Sequence, residues 1–254
     1  MSVLLAGLRL QMLISLRRLD ELQVLALVPF AAVLYLTMLA QTGRRDLAIV
    51  GVLASYVTAV WSLAIYSGGD LIDEERRNGT FASLLVTPVS VAQAMFGRVL
   101  AISLLGLVAL VESGVVAVLF FHIDLGIDRP WLLAGIVVLL TVAMAGATYL
   151  FAAVFLLTSH ARSWQNAMSY PAFVLGGVLA PLRAWPIWVQ VPGRLFFLSW
   201  VMDLFAVATG RSTGGVLLPA LAAGGLVAIT WWLAWEMVRW AIRRVQATGA
   251  FDGA

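Results

Sequence analysis

One short stretch of this sequence concentrates most of the side chains that could form ion pairs. Six charged residues of both signs fall within the eight positions from Asp70 to Arg77. Asp73 and Arg77 are four apart with the acid first, the order that supports a helical turn. Long apolar runs flank the cluster on both sides, so we expect it at a membrane surface. A solvated loop that only connects two spans is the alternative, because charge runs are usually solvated faces.

The residues after this cluster predict a second helical segment. Asn78-Gly79 should break the first turn, because this dipeptide is typical of turns. Phe81, Leu84 and Leu85 then recur on one helical face, and Pro88 ends the segment. We therefore predict that residues 70–88 form a broken, amphipathic helix pair lying in the membrane interface.

Glu112 is the second candidate for chemistry, since it is the one ionisable residue deep inside a predicted span. An ionised side chain at such depth costs about 2.5–3.5 kcal/mol even on permissive scales, so it marks a functional position by default. It could contact a cationic group of a substrate or hold a proton. A structural role is the other interpretation, in which it is protonated or bonded to Ser113, a neighbouring helix or a partner subunit.

The composition is that of an integral membrane protein. Of 254 residues, 62% are hydrophobic and 11% are charged, and the mean hydropathy is +0.99, whereas soluble domains have about 25% charged residues. The sequence has no cysteine and only two histidines, far apart, so we expect no metal site and no catalytic residues. It has no glycine-rich phosphate loop and no basic tract for nucleic acid.

Six apolar stretches must position the candidate residues within a single transmembrane domain, 1–254. Residues 1–21 carry leucines at helical spacing among arginines, which predicts an interfacial helix. The fifth stretch contains Pro171 and Gly176-Gly177, and three more prolines follow, so we expect a short span and then broken interfacial helices. The predicted spans are 22–40, 47–66, 94–121, 131–158, 166–182 and 216–235.

The distribution of arginine predicts the orientation of the chain. Six spans place both termini on one side, together with the second and fourth loops. Together with Arg98, near the start of the third span, these segments hold ten of the 16 basic residues, all of them arginine, and the other loops hold six. Because cytoplasmic segments carry the excess of positive charge, we expect the termini and the 70–88 stretch in the cytoplasm.

Two motifs resemble a known family. Glu75-Arg76, Gly79-Thr80, Leu84-Leu85 and Thr87-Pro88 stand as E-R-x-x-G-T-x-x-x-L-L-x-T-P, which resembles the cytoplasmic loop of type-2 ABC export permeases, the drug, lantibiotic and polysaccharide exporters. The family often has an acidic residue where this chain has Ala82. A weaker match is F-L-S-W-V-M-D, ending at Asp203, where the family often has P-L-[ST]-Y-x-x-[DE].

The resemblance implies an all-α membrane protein with six transmembrane helices, an N-terminal interfacial helix, a cytoplasmic coupling helix and short external helices before the last span. It implies a bacterial cell-membrane exporter that contacts membrane lipids, pairs with a second permease, identical or not, and docks ABC ATPase subunits that bind ATP and Mg. Glu112 and Asp203 are the candidates for the substrate path. The residues expected to contact the ATPase are Asp73, Glu74, Glu75, Arg76, Gly79, Thr80, Phe81, Leu84, Leu85 and Pro88.

Other classes of membrane protein fit the sequence less well. An ion-driven secondary transporter or channel would favour several intramembrane charges or two repeated halves with broken helices, and this chain offers one charge and one broken segment. A membrane-embedded enzyme, such as a lipid transferase, would need a polar cluster near one interface. A haem-export permease is a nearer relative, and the lack of spare histidines or methionine-rich loops argues against it.

Overall fold

The computed structural model describes residues 3–15, 17, 19–43, 47–77, 91–123, 127–156 and 161–248, with the backbone alone for residues 19–22, 72–77, 91, 156, 161–162 and 245–248. The described residues form helices and connections without any strand, which confirms the predicted all-α class. The helices are α1 (Val3–Ser15), α2 (Leu19–Gln41), α3 (Ala48–Arg77), α4 (Val91–Phe121), α5 (Pro130–Leu156), α6 (Ala161–Leu175), α7 (Ile187–Arg194), α8 (Phe197–Ala208) and α9 (Leu217–Thr248).

Five of the described helices are long and apolar enough to cross a membrane: α2, α3, α4, α5 and α9. A sixth crossing arises if α7 and α8 count as one broken span, since these two short helices meet at an angle of 94°. A 3-10 turn, Leu182–Ala184, precedes them. Short, broken helices therefore do stand before the last long helix.

The chain between 161 and 182 differs in detail from the predicted fifth span, 166–182. Helix α6 has 15 residues, fewer than the roughly 20 that a perpendicular crossing needs. It ends where Gly177 adopts a left-handed backbone conformation, with φ of 70°. Gly177 N–H donates to Val174 O and Val178 N–H donates to Phe173 O, at 3.1 and 3.0 Å. These are the two hydrogen bonds of a Schellman cap, which is why the helix stops here.

Helix α3 lies at the centre of the bundle, where it packs against α2, α4, α5 and α6. It continues through Ser67, Gly68 and Gly69 to Arg77, well past the predicted limit at residue 66. Glycine weakens a helix by about 1 kcal/mol relative to alanine, yet both glycines are enclosed by neighbouring helices. A Cβ atom on Gly68 would lie 2.9 Å from the carbonyl oxygen of Thr148 on α5, so the pair serves close packing.

Helix α1 packs against α4 through its small and polar face. Gly7, Gln11 and Ser15 are buried, whereas Leu5, Leu10 and Leu13 are exposed. The two backbones approach closely, because a Cβ atom on Gly97 of α4 would collide with the carbonyl oxygen of Leu4. Helix α9 packs mainly against α5 and α8, and its Trp231 ring also contacts Phe96 of α4.

Candidate functional site

The charged stretch begins on helix α3. The backbone of Asp73, Glu74, Glu75 and Arg76 forms the last turns of α3, which ends at Arg77, just before Asn78-Gly79. We call this the charged end of the bundle, where α3 ends at Arg77 and α4 begins at Val91. Outside the described residues lie the side chains of these four residues and the whole of Gly79, Thr80, Phe81, Leu84, Leu85 and Pro88.

A polar contact joins α3 to α6 close to the charged end. Tyr66 Oη donates to Asn166 Oδ1 at 2.8 Å, and Gln165 Nε2 donates to the carbonyl oxygen of Ile65 at 3.3 Å. Gly69 makes room for Gln165, because a Cβ atom there would collide with its amide group. These five residues form what we call the α3–α6 contact. In the sequence, this contact is indicated only by the adjacent amides Gln165 and Asn166 in an apolar stretch and by the glycine pair that includes Gly69. Neither feature predicts that α3 and α6 pack together here.

A second polar contact joins α1 to α4 near the same end. Arg98 is only 5% exposed, and its Nε donates to Gln11 Oε1 at 2.9 Å. Gln11 Nε2 donates in turn to Ser15 Oγ at 3.3 Å. A buried guanidinium is costly unless it is hydrogen-bonded, so these bonds favour one arrangement of α1 on α4. In the sequence, Arg98 indicated only the orientation of the chain.

Glu112 lies in the second half of α4, with its Oε2 atom buried and without a hydrogen-bond partner among the described residues. The neighbouring Ser113 is engaged elsewhere. Its Oγ donates to Ala109 O at 2.7 Å and lies 2.9 Å from Ser55 Oγ on α3. The interpretation that Ser113 satisfies Glu112 is therefore wrong, and within the described helices this carboxyl group is left without a donor.

Asp203 is satisfied within the protein, in contrast to Glu112. It forms an ion pair with Arg194 at 2.5 Å, which joins α8 to the end of α7. The Arg194 guanidinium lies over the ring of Trp200 at 4.5 Å, and Trp200 Nε1 donates to the Arg194 carbonyl oxygen at 2.9 Å. The three side chains together brace the sharp bend between the two short helices.

A small cavity of about 120 Å³ lies between α3, the turn after α6 and α8, at the end of the bundle opposite to the charged end. Its wall is mostly apolar, and Asp203 and Arg211 contribute the charged groups. The lining includes Leu53, Leu182, Met202, Asp203, Phe205 and Arg211. The two substrate-path candidates are therefore not brought together: Asp203 borders this cavity and Glu112, on α4, does not.

The helical bundle, with several helices long and apolar enough to cross a membrane, defines the class as a multi-pass membrane protein. The model of the ABC-2 type transporter family matches residues 22–209, which is most of the chain. The chain belongs to this family, so the predicted resemblance to type-2 ABC permeases is confirmed, and the chain is the membrane permease component of an ABC transporter. None of the curated proteins matches the chain.

Proposed function

We propose that this chain is the membrane-spanning subunit of an ATP-driven exporter. It would pair with a second permease subunit, identical or not, and dock an ABC ATPase through residues 70–88. Membership of the ABC-2 type transporter family supports this proposal, as does the motif from Glu75 to Pro88. Because the chain has no phosphate loop, ATP and Mg would bind to the ATPase subunit.

The observation that carries the proposal is the course of α3. This helix is enclosed by four others in the middle of the bundle and runs without a break to Arg77, inside the proposed docking segment. A displacement at its charged end would therefore act on the centre of the bundle, through the close contact of Gly68 with Thr148 and through the α3–α6 contact. We infer that ATPase movement is transmitted along α3 to α5 and α6.

The residue types in the docking segment suit a protein–protein contact. Asp73, Glu74, Glu75 and Arg76 would form charge contacts with the ATPase, and Gly79 and Thr80 would form the turn. Phe81, Leu84 and Leu85 would present an apolar face to it, and Pro88 would end the segment. A central apolar anchor with a polar rim is the usual anatomy of a specific interface.

The surrounding membrane would be the cytoplasmic membrane of a bacterium, with both termini and the charged end in the cytoplasm, as the arginine distribution favours. The exported substrate would be amphipathic or lipid-linked, as in drug efflux. Glu112 would contact it inside the membrane. Asp203 would contact it only after separating from Arg194, because that ion pair occupies the carboxylate.

The test is capture of an ATPase from the native membrane. The full chain and its Glu75→Arg variant are purified in mild detergent, and co-purifying proteins are quantified by mass spectrometry. The matched control is Glu236→Arg, a charge reversal on the exposed part of α9, where Glu236 pairs only weakly with Arg239 at 3.4 Å. Size-exclusion profiles establish that all three proteins are folded.

We expect a stoichiometric ATPase with the unaltered chain and with Glu236→Arg, and at least a tenfold loss with Glu75→Arg. A second permease sequence in the same sample would make the pair heteromeric. Equal capture by Glu75→Arg and Glu236→Arg would refute docking through residues 70–88, and absence of any ATPase would refute the exporter itself.

A further inference from the structure

Glu112 lies near the middle of the apolar part of α4. The nearest charged residue before it in the chain is Arg98, and the next titratable residue after it is His122. At about 1.5 Å per residue, these lie about 21 and 15 Å away along the helix axis. Neither side chain can span such a distance, so no charged group of α4 reaches the Glu112 carboxyl group.

The neighbouring helices offer no cation at this depth either. Ser55 on α3 lies level with Ser113, as their 2.9 Å contact requires, and Val60 lies level with Gly106, so α3 and α4 run antiparallel. The nearest charge along α3 is Asp70, which is about 22 Å from the level of Ser55. No acidic or basic residue occurs in residues 23–41 or 130–155, the apolar parts of α2 and α5, and Arg9 of α1 lies at the charged end.

A carboxylate in hydrocarbon needs a proton or a cation. An isolated ionised carboxylate in an apolar medium is strongly unfavourable, and an ionised group within a membrane normally pairs with another group. The Oε2 atom of Glu112 is enclosed and has no donor among the described residues. Among the described residues no cation lies within reach of this carboxyl group, so in this structure it either keeps a proton or takes a cation from outside the described helices.

The approach to Glu112 from outside is open and apolar. Val108, Val111 and Val115 lie on the same helical face as Glu112, and they are 42%, 65% and 45% exposed. A molecule arriving here would place an apolar body against the valines and a charged group beside the carboxyl group.

We propose that Glu112 is an intramembrane binding site for lipophilic organic cations. The carboxyl proton leaves to water as the cation binds, so the site stays electrically neutral in both states. The inference deepens the proposed export function, because it names a substrate class. Its test measures binding to this chain alone and needs no ATPase, so its failure is distinguishable from failure of the docking proposal.

The first measurement is chemical labelling of the full chain in lipid nanodiscs with dicyclohexylcarbodiimide. A protonated carboxyl group adds to this reagent, and the adduct rearranges to a stable N-acylurea where water is scarce. We expect peptide mass spectrometry to find the adduct at Glu112 and not at Asp203, which is paired with Arg194. The Glu112→Gln variant identifies the labelled position by losing the adduct.

The second measurement uses two ions of the same shape and opposite charge. Tetraphenylphosphonium should slow the labelling of Glu112 at least fivefold, and tetraphenylborate should leave the rate unchanged. In equilibrium dialysis, Glu112→Gln should bind tetraphenylphosphonium at least tenfold more weakly than the unaltered chain. Glu236→Gln, a matched change on an exposed side chain, should bind it equally well.

Three results would overturn the proposal. Absence of label at Glu112 would mean that another group, such as a donor from a second subunit, already satisfies the carboxyl group. Equal protection by both ions would mean that apolar bulk alone blocks the reagent. Unchanged cation binding by Glu112→Gln would place the site elsewhere. If Glu112→Gln does not fold, the labelling of the unaltered chain remains a test. Protection by the cation and not by the anion supports the proposal, and equal protection overturns it.

Discussion

Helices α3 and α4 have similar lengths and stand side by side, yet their surroundings are opposite. Within the apolar part of α3, 83% of the residues are buried inside the protein, against 28% for α4. Helix α4 is nevertheless the more apolar of the two. In a membrane, lipid tails solvate apolar side chains as well as a protein interior does, so apolar character does not drive a helix to the centre.

What distinguishes α3 is how closely its neighbours can approach. Its glycines and serines let the backbones of α5 and α6 come near, and buried polar bonds join it to other helices. The outward face of α4 carries exposed valines and the unobstructed Gly114. The contrast is local, because the other end of α4 is enclosed by α1 around Gly97 and Arg98.

The largest effect should come from one substitution made on both helices. Gly68→Leu on α3 places its Cβ against the Thr148 backbone, so we expect a loss of about 3 kcal/mol or more in the free energy of unfolding. Gly114→Leu on α4 meets no obstruction and should not lower it; the better helix former should raise it by up to about 1 kcal/mol. Reversible unfolding in mixed micelles with added SDS measures both, and equal losses would remove the distinction between the helices.

A substitution at the enclosed end of α4 should lower the free energy of unfolding more than the same substitution on the outward face of this helix. Gly97→Ala would push against the Leu4 carbonyl oxygen and lower the free energy of unfolding by about 1–3 kcal/mol. Helix α1 should also loosen, which faster trypsin cleavage after Arg9 would report. Gly114→Ala on the same helix is the control. Unchanged cleavage in Gly97→Ala would show that α1 is not held by this crossing.

The α3–α6 contact should have a smaller effect. Tyr66→Phe removes the hydroxyl group that donates to Asn166, and hydrogen bonds between membrane helices contribute about 0.6 kcal/mol on average. A double-mutant cycle with Asn166→Ala isolates the coupling between the two residues. A coupling of zero would mean that the hydrogen bond makes no net contribution and that the fit around Gly69 alone holds α6.

The smallest effect is expected on the outward face of α4. Val111 is 65% exposed, so Val111→Leu should alter the free energy of unfolding by less than about 0.5 kcal/mol. Val57 on α3 is fully buried, and Val57→Leu should lower it by about 1–3 kcal/mol through overpacking. A loss in Val111→Leu as large as that in Val57→Leu would indicate that α4 is covered, for instance by a second permease subunit.

Much of the architecture was predictable, because a long apolar run in a membrane protein is compatible with few structures other than a membrane-spanning helix. The helical class and the family followed from such runs and from the motif around Gly79. The predicted limit of the second span was less informative, because Ser67-Gly68-Gly69 is as typical of a linker as of a packing surface. Only the facing residues Thr148 and Gln165 show that the glycines are packed.

The positions of the candidate site residues were predictable from the sequence, but their hydrogen-bond and ion-pair partners were not. Depth within an apolar run identified Glu112, and this needs no tertiary information. Whether a donor faces Glu112 depends on helix rotation and register, which local sequence does not specify. The same holds for Asp203, whose pairing with Arg194 depends on the bend between α7 and α8.

The sequence by itself determined that the chain is a helical membrane protein, which family it belongs to and where its charges lie along the chain. Those properties follow from composition and short motifs, since a bilayer requires apolar, internally hydrogen-bonded segments of sufficient length. Only the tertiary structure decided that α3 is enclosed, that α4 presents an open face, and that Glu112 has no hydrogen-bond partner among the described residues. Lipid accepts any apolar face, so the choice among faces rests on steric fit and polar pairing between helices distant in sequence.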